Sequence, residues 1–138
     1  MVKKWNYIGC FLDEESKAKL LDRYKYLIPK DWTIFAHHGT TCYNGNVETQ
    51  DENFERFKHL IGKKVVLEII GVGVSDKAVA VLVRNLVSDN QTKHITLATA
   101  PGVKPVESNN ITDWYYHYTP VYVTGTYGYF ANGQINFN

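Results

Sequence analysis

His94-Ile95-Thr96-Leu97-Ala98-Thr99 is the stretch from which the fold is read. Its short β-branched and apolar run reads as a strand. In an extended chain residues i and i+2 share a face, so His94 and Thr96 present an imidazole and a hydroxyl to the same side. The triplet has an echo earlier in the chain, His38-Gly39-Thr40. There the apolar segment Thr33 to Ala36 reads as a second short strand running into the triplet. The repetition suggests two similar lobes, each contributing one triplet.

Working outward, Lys4 to Leu12 alternates with apolar residues on both sides, the pattern of a central strand. Asp13 reads as an N-cap for a helix over Glu14 to Ile28, which Pro29 ends. Tyr43-Asn44-Gly45-Asn46 supplies a turn. Thr49 and Glu52 have capping-box spacing at the start of a second helix reaching Ile61, with Gly62 as terminator. Val65 to Val74 and Ala78 to Val87 form a hairpin around Ser75-Asp76-Lys77. A long connection from Ala100 to Asn110 follows the second triplet. After it come the aromatic run Trp114 to Tyr118 and, beyond Pro120, the last strands.

Composition narrows the function. The chain has 138 residues, 44% hydrophobic and 21% charged, enough for one domain with its own core. The formal charge of +1 argues against bulk attraction to duplex nucleic acid and leaves room for a local phosphate site. Cys10 and Cys42 lack CxxC spacing and read as reduced thiols, consistent with a cytoplasmic protein. The start MVKKWNYIGCFL is no convincing secretion signal, and no apolar run reaches membrane-spanning length.

The two triplets carry the chemistry. Two imidazoles in opposite protonation states can act as general base and general acid on a phosphodiester. Two threonine hydroxyls can steady its nonbridging oxygens. His38 and His94 are thus the catalytic candidates, and Thr40 and Thr96 the phosphate-binding ones. His37 is set aside, because neighbours in a strand face opposite ways. No cofactor is expected, and no metal, since proton transfer and phosphate positioning already have residues. A zinc site on His37, His38 and His94 is the competing reading, without a carboxylate or cysteine cluster at ligand spacing. A Ser-His-Asp hydrolase lacks its GxSxG elbow. Cys42, near His38, is the nucleophile of a covalent alternative. His59 and His117 read as solvated or structural.

This pattern resembles the 2H phosphoesterase, or LigT-like, superfamily, in which two HxT/S motifs meet in a central cleft. The resemblance implies an α+β, bilobal, pseudo-symmetric fold, with antiparallel sheets around the cleft and outer helices, formed by residues 1–138 as one domain of two packed lobes. HITLATAPGVKPVESNNI is similar to the second-motif region of the cyclic phosphodiesterase domain of fungal-type RNA ligases. It implies a metal-independent phosphodiesterase acting on a 2',3'-cyclic phosphate or related RNA linkage. The first motif departs from the common pattern, with Thr41 and Cys42 after Thr40. Small viral relatives suggest an alternative, hydrolysis of cyclic or 2'-5' linked oligonucleotide messengers. A module that binds RNA or a nucleotide without turnover is the nonenzymatic reading. The expected partner is a nucleotide or oligonucleotide, such as an RNA end or a cyclic oligonucleotide, with Tyr43, Lys104, Trp114 and Tyr116 as substrate-lining candidates. No membrane partner is expected, and a monomer suffices, since one chain holds both triplets.

Overall fold

The computed structural model describes residues 4–45 and 48–138. The first strand, β1 (Tyr7–Leu12), leads into α1 (Glu14–Tyr24), continued by a 3-10 turn at Lys25–Leu27. Asp13 caps α1 as the sequence implies, its carboxylate accepting from the Ser16 amide at 2.7 Å. Next come β2 (Thr33–Ile34) and β3 (His38–Tyr43), then α2 (Gln50–Phe57) with a 3-10 turn at Lys58–Leu60. Gly45, at φ +77°, makes the turn after β3, while Asn46 lies outside the described residues. Thr49 precedes α2 but makes no side-chain capping bond.

The hairpin forms from β4 (Lys64–Val74) and β5 (Ala78–Val83). Its turn is held by the Ser75 hydroxyl, which accepts from the amides of Lys77 and Ala78, both at 3.1 Å. β6 (His94–Thr99) coincides with the strand read around the second triplet. A 3-10 segment, Pro105–Asn110, crosses outside it before β7 (Trp114–Ala131) and β8 (Gln134–Asn136).

β7 decides the architecture. Its 18 residues pair antiparallel with β4 from Gly73↔Trp114 to Lys64↔Thr126, and with β1 from Leu12↔Gly125 to Tyr7↔Phe130. β1 also pairs with β3, β3 with β6, β6 with β5 and β5 with β4. The circuit β1-β3-β6-β5-β4-β7-β1 is therefore closed: a six-stranded barrel. This corrects the expected bilobal fold with its central cleft, because one long strand belongs to both would-be lobes and leaves no gap between them. A single hydrophobic cluster unites Ile8 and Cys10 of β1, Leu67 and Ile69 of β4, Val81 of β5, Ile95 of β6 and Tyr127 of β7.

The helices pack outside this wall. The Ser16 hydroxyl of α1 accepts from the Thr124 amide at 2.7 Å, and Lys19 donates to the Tyr122 carbonyl at 2.7 Å. Phe54 of α2 stands edge-on to Trp5 and to Tyr129, both at 5.4 Å. Among the described residues no helix is long and apolar enough to cross a membrane.

Candidate functional site

Gly39 of β3 pairs with Ile95 of β6. In an antiparallel pair this register sets His38 opposite Thr96 and Thr40 opposite His94, with all four side chains on the face away from Gly39 and Ile95. Ile95 is fully buried in the barrel core, and a Cβ on Gly39 would come within 2.6 Å of the core residue Leu86. The quartet therefore lies on the outer face of the barrel wall. It lines a small pocket together with Phe35, His37, Tyr43 and Asn90, closed on one side by Pro105, Val106 and Asn109 of the 3-10 segment.

Backbone details shape this pocket. Ile8 pairs with Cys42 but Gly9 with Thr40, so Thr41 is the extra residue of a β-bulge. The Ser88 hydroxyl donates to the Thr40 carbonyl at 2.7 Å and accepts from the Asn90 amide at 3.0 Å, joining the Asn90 loop to β3. On the other side Ala36 adopts φ +56° and donates its amide to the Thr96 carbonyl at 2.9 Å. This left-handed residue ends the extended run before His37, so strand alternation does not apply there. His37 and His38 consequently both face the pocket, with ring centroids 4.7 Å apart and Nδ1 atoms 2.6 Å apart.

Burial disfavours the charged form of both His38 and His94. Burial, then the neighbouring His37 and His94, push His38 down to about 3. Its ring stacks on Tyr7 at 4.7 Å and lies 5.4 Å from Phe11. His94 is also lowered, chiefly by burial, although its contact with the Thr92 carbonyl opposes this. Because that carbonyl only accepts, the 2.8 Å contact fixes a hydrogen on His94 Nδ1 and leaves Nε2 as the acceptor of the neutral ring. The threonines differ. Thr96 Oγ1 lies 2.7 Å from the Ser108 hydroxyl and donates to the Pro105 carbonyl at 3.3 Å, whereas the Thr40 hydroxyl makes no hydrogen bond among the described residues.

Of the other sequence candidates, Tyr43 lines the pocket and is 53% exposed as a residue. Lys104, Trp114 and Tyr116 do not line it. Lys104 precedes the 3-10 segment, Trp114 packs against Ala78, Ala80 and Ile111, and Tyr116 is 71% exposed on β7. His117 meets the Tyr24 hydroxyl at 2.6 Å, a structural contact away from the pocket. Sequence reasoning missed His37, Asn90 and Asn109. For His37 the signal was the doublet itself; an asparagine in a polar loop carries none.

The closed barrel also corrects the 2H phosphoesterase resemblance and the activity inferred from it. Neither the 2',3'-cyclic phosphodiesterase nor the messenger hydrolase keeps its basis, because the open two-lobed cleft is replaced by a continuous wall. Among the described residues no group of three or more His, Cys, Asp and Glu is placed to hold a metal ion, which also leaves the zinc reading without a ligand set.

No protein-family model matches the sequence, and no curated protein matches it. Among solved structures the chain is similar to a fungal RNA kinase, with a TM-score of 0.53 and 14% identity. The match covers 99% of this chain and 45% of that one, so this chain spans less than half of that protein's length. At this identity the likeness is one of fold: an α+β barrel with outer helices.

Proposed function

We propose that the pocket binds the terminal phosphate of a nucleotide or oligonucleotide, an RNA end being the representative ligand. The observation that carries this reading is the facing arrangement of His38 with Thr96 and Thr40 with His94, in a pocket whose lining has no carboxylate among the described residues. Thr40, Asn90 and Asn109 bring hydroxyl and amide donors to the same pocket. Tyr43, half-exposed at the pocket, offers an aromatic ring on which a base next to the phosphate can stack. A net charge of only +1 makes recognition depend on this local geometry rather than on a basic coat. The fold likeness to a fungal RNA kinase supports the reading by analogy alone.

The test is fluorescence anisotropy with a short oligoribonucleotide bearing a 3'-phosphate, a 5'-phosphate or hydroxyls at both ends. At least one phosphorylated form should bind about tenfold or more tightly than the hydroxyl form, the scale of one hydrogen bond to a charged acceptor. Thr40→Val should remove most of that difference. Equal binding of all three ligands would overturn the reading.

A further inference from the structure

We propose that His37 and His38 act as one proton-linked clamp for a phosphate monoester, binding the anion together with one proton from solution. The inference rests on the phosphate-binding reading of the pocket. It adds a residue, His37, and specifies a ligand class, the dianionic monoester of a terminal phosphate rather than the singly charged internal diester.

The argument starts from the 2.6 Å between the two Nδ1 atoms. A neutral imidazole carries one hydrogen over two nitrogens. Two bare or two protonated Nδ1 atoms would repel at this distance, so one Nδ1 holds a hydrogen and gives it to the other. The donating ring then has a bare Nε2, and the accepting ring carries its hydrogen on Nε2. One further proton on the bare Nε2 leaves the shared Nδ1 bond intact. The pair then has a single positive charge and an N–H on both Nε2 atoms. A second proton would put hydrogens on both Nδ1 atoms and break the bond, so the capacity of the pair is one.

The surroundings make the ligand the source of countercharge. Tyr7 of β1 lies against His38, His94 of β6 stands near it, Tyr43 lines the same pocket, and Lys17 of α1 acts on His37. None of these groups is a carboxylate. Partial burial and the Lys17 cation lower His37, while burial and the neighbouring His37 and His94 lower His38, so both rings of the free pair favour the neutral form. A phosphate dianion brings the missing charge, and the proton follows it. His37 is partly open to solvent and lies outside the hydrophobic core cluster, so its substitution leaves the core intact.

The experiment is isothermal titration of the protein with a 3'- or 5'-phosphorylated oligoribonucleotide at pH 7, in two buffers of different ionisation enthalpy, with affinity followed from pH 7 to 8. Uptake close to one proton is expected, with affinity falling by up to about tenfold per pH unit as the linked proton becomes scarce. His37→Phe keeps a ring beside His38 but no partner for its Nδ1; uptake and pH slope should both fall by more than half. In the wild-type complex, nitrogen-detected NMR should show hydrogens on both Nε2 atoms. Phosphate-dependent binding without proton uptake would overturn the clamp and leave the phosphate reading standing, as would full uptake in His37→Phe. Indifference of the wild-type protein to the terminal phosphate would remove both.

Discussion

Gly39 faces Ile95 across the join of β3 and β6, and this one register pair both closes the barrel and aligns the pocket quartet. The join depends on close approach of three strands. A Cβ on Gly9 would lie 2.7 Å from the Gly39 carbonyl oxygen, a backbone atom fixed by the sheet. A Cβ on Gly39 would instead meet the end of the Leu86 side chain at 2.6 Å, with the His94 carbonyl at 3.3 Å. Leu86 can rotate aside and a backbone carbonyl cannot. Gly9→Ala should therefore cost about 3 kcal/mol and Gly39→Ala about 1 kcal/mol in urea unfolding. The reverse order would show that the β1–β3 approach is looser than described.

Thr96 and Ser108 form the contact that ties the 3-10 segment to the pocket wall. Ser108 is fully buried, with its hydroxyl 2.7 Å from Thr96 Oγ1. Thr96→Val strands that hydroxyl and should cost about 2 kcal/mol, whereas Ser108→Ala leaves Thr96 its bond to the Pro105 carbonyl and should cost about 1 kcal/mol. The double variant should lose less than the sum, by at least ~0.5 kcal/mol. Strict additivity in denaturant unfolding would deny the contact.

The cysteines are predicted to be inert in the folded protein. Burial pushes the Cys10 thiol up to about 12, and burial together with the nearby Asp89 carboxylate pushes Cys42 up to about 11. Both are free and buried. The thiolate is the reactive form, so this removes the basis of a covalent cysteine mechanism. A chromogenic disulfide reagent at pH 8 should label neither thiol in native protein and both in denaturant. Rapid labelling of Cys42 would show that its strand opens readily.

Local signals in the chain were legible where one residue decides one feature. Asp13 caps α1, Ser75 organises the hairpin turn, and β6 has the limits read from its sequence. Long-range pairing left no such mark. Pro120 looked like a strand boundary, yet β7 runs through it. The register passes from Ile69↔Val121 to Gly71↔Tyr116, leaving residues 117–120 bulged out where the absent proline N–H is not required. That continuity closes the barrel. The site was legible as residue types, and the pairing of Gly39 with Ile95 supplies the reason all four triplet side chains share a face. The role of His37 was hidden because an alanine, which seldom takes positive φ, makes the break before it.

Acid should destabilise the fold before the carboxylates titrate, and His38 should be a main cause. Its folded-state value near 3 lies below the ordinary 6.5, so between these values the unfolded chain binds a proton that the folded protein refuses. Stability therefore rises with pH through this window: the contribution is complete above about 6.5 and is lost progressively as pH falls toward 3. His37, His94 and His117 are lowered as well and act with the same sign. The pH range between about 5 and 7 isolates these imidazoles, because most carboxylates remain ionised there. The urea midpoint of the wild-type protein should fall between pH 7 and pH 5. His38→Gln, which has no proton to gain, should lower the midpoint at pH 7 through lost packing on Tyr7 but show a flatter decline toward pH 5. An equally steep decline in that variant would mean that His38 takes up its proton in the folded state, and that the ring is better solvated than its place between Tyr7 and Phe11 implies.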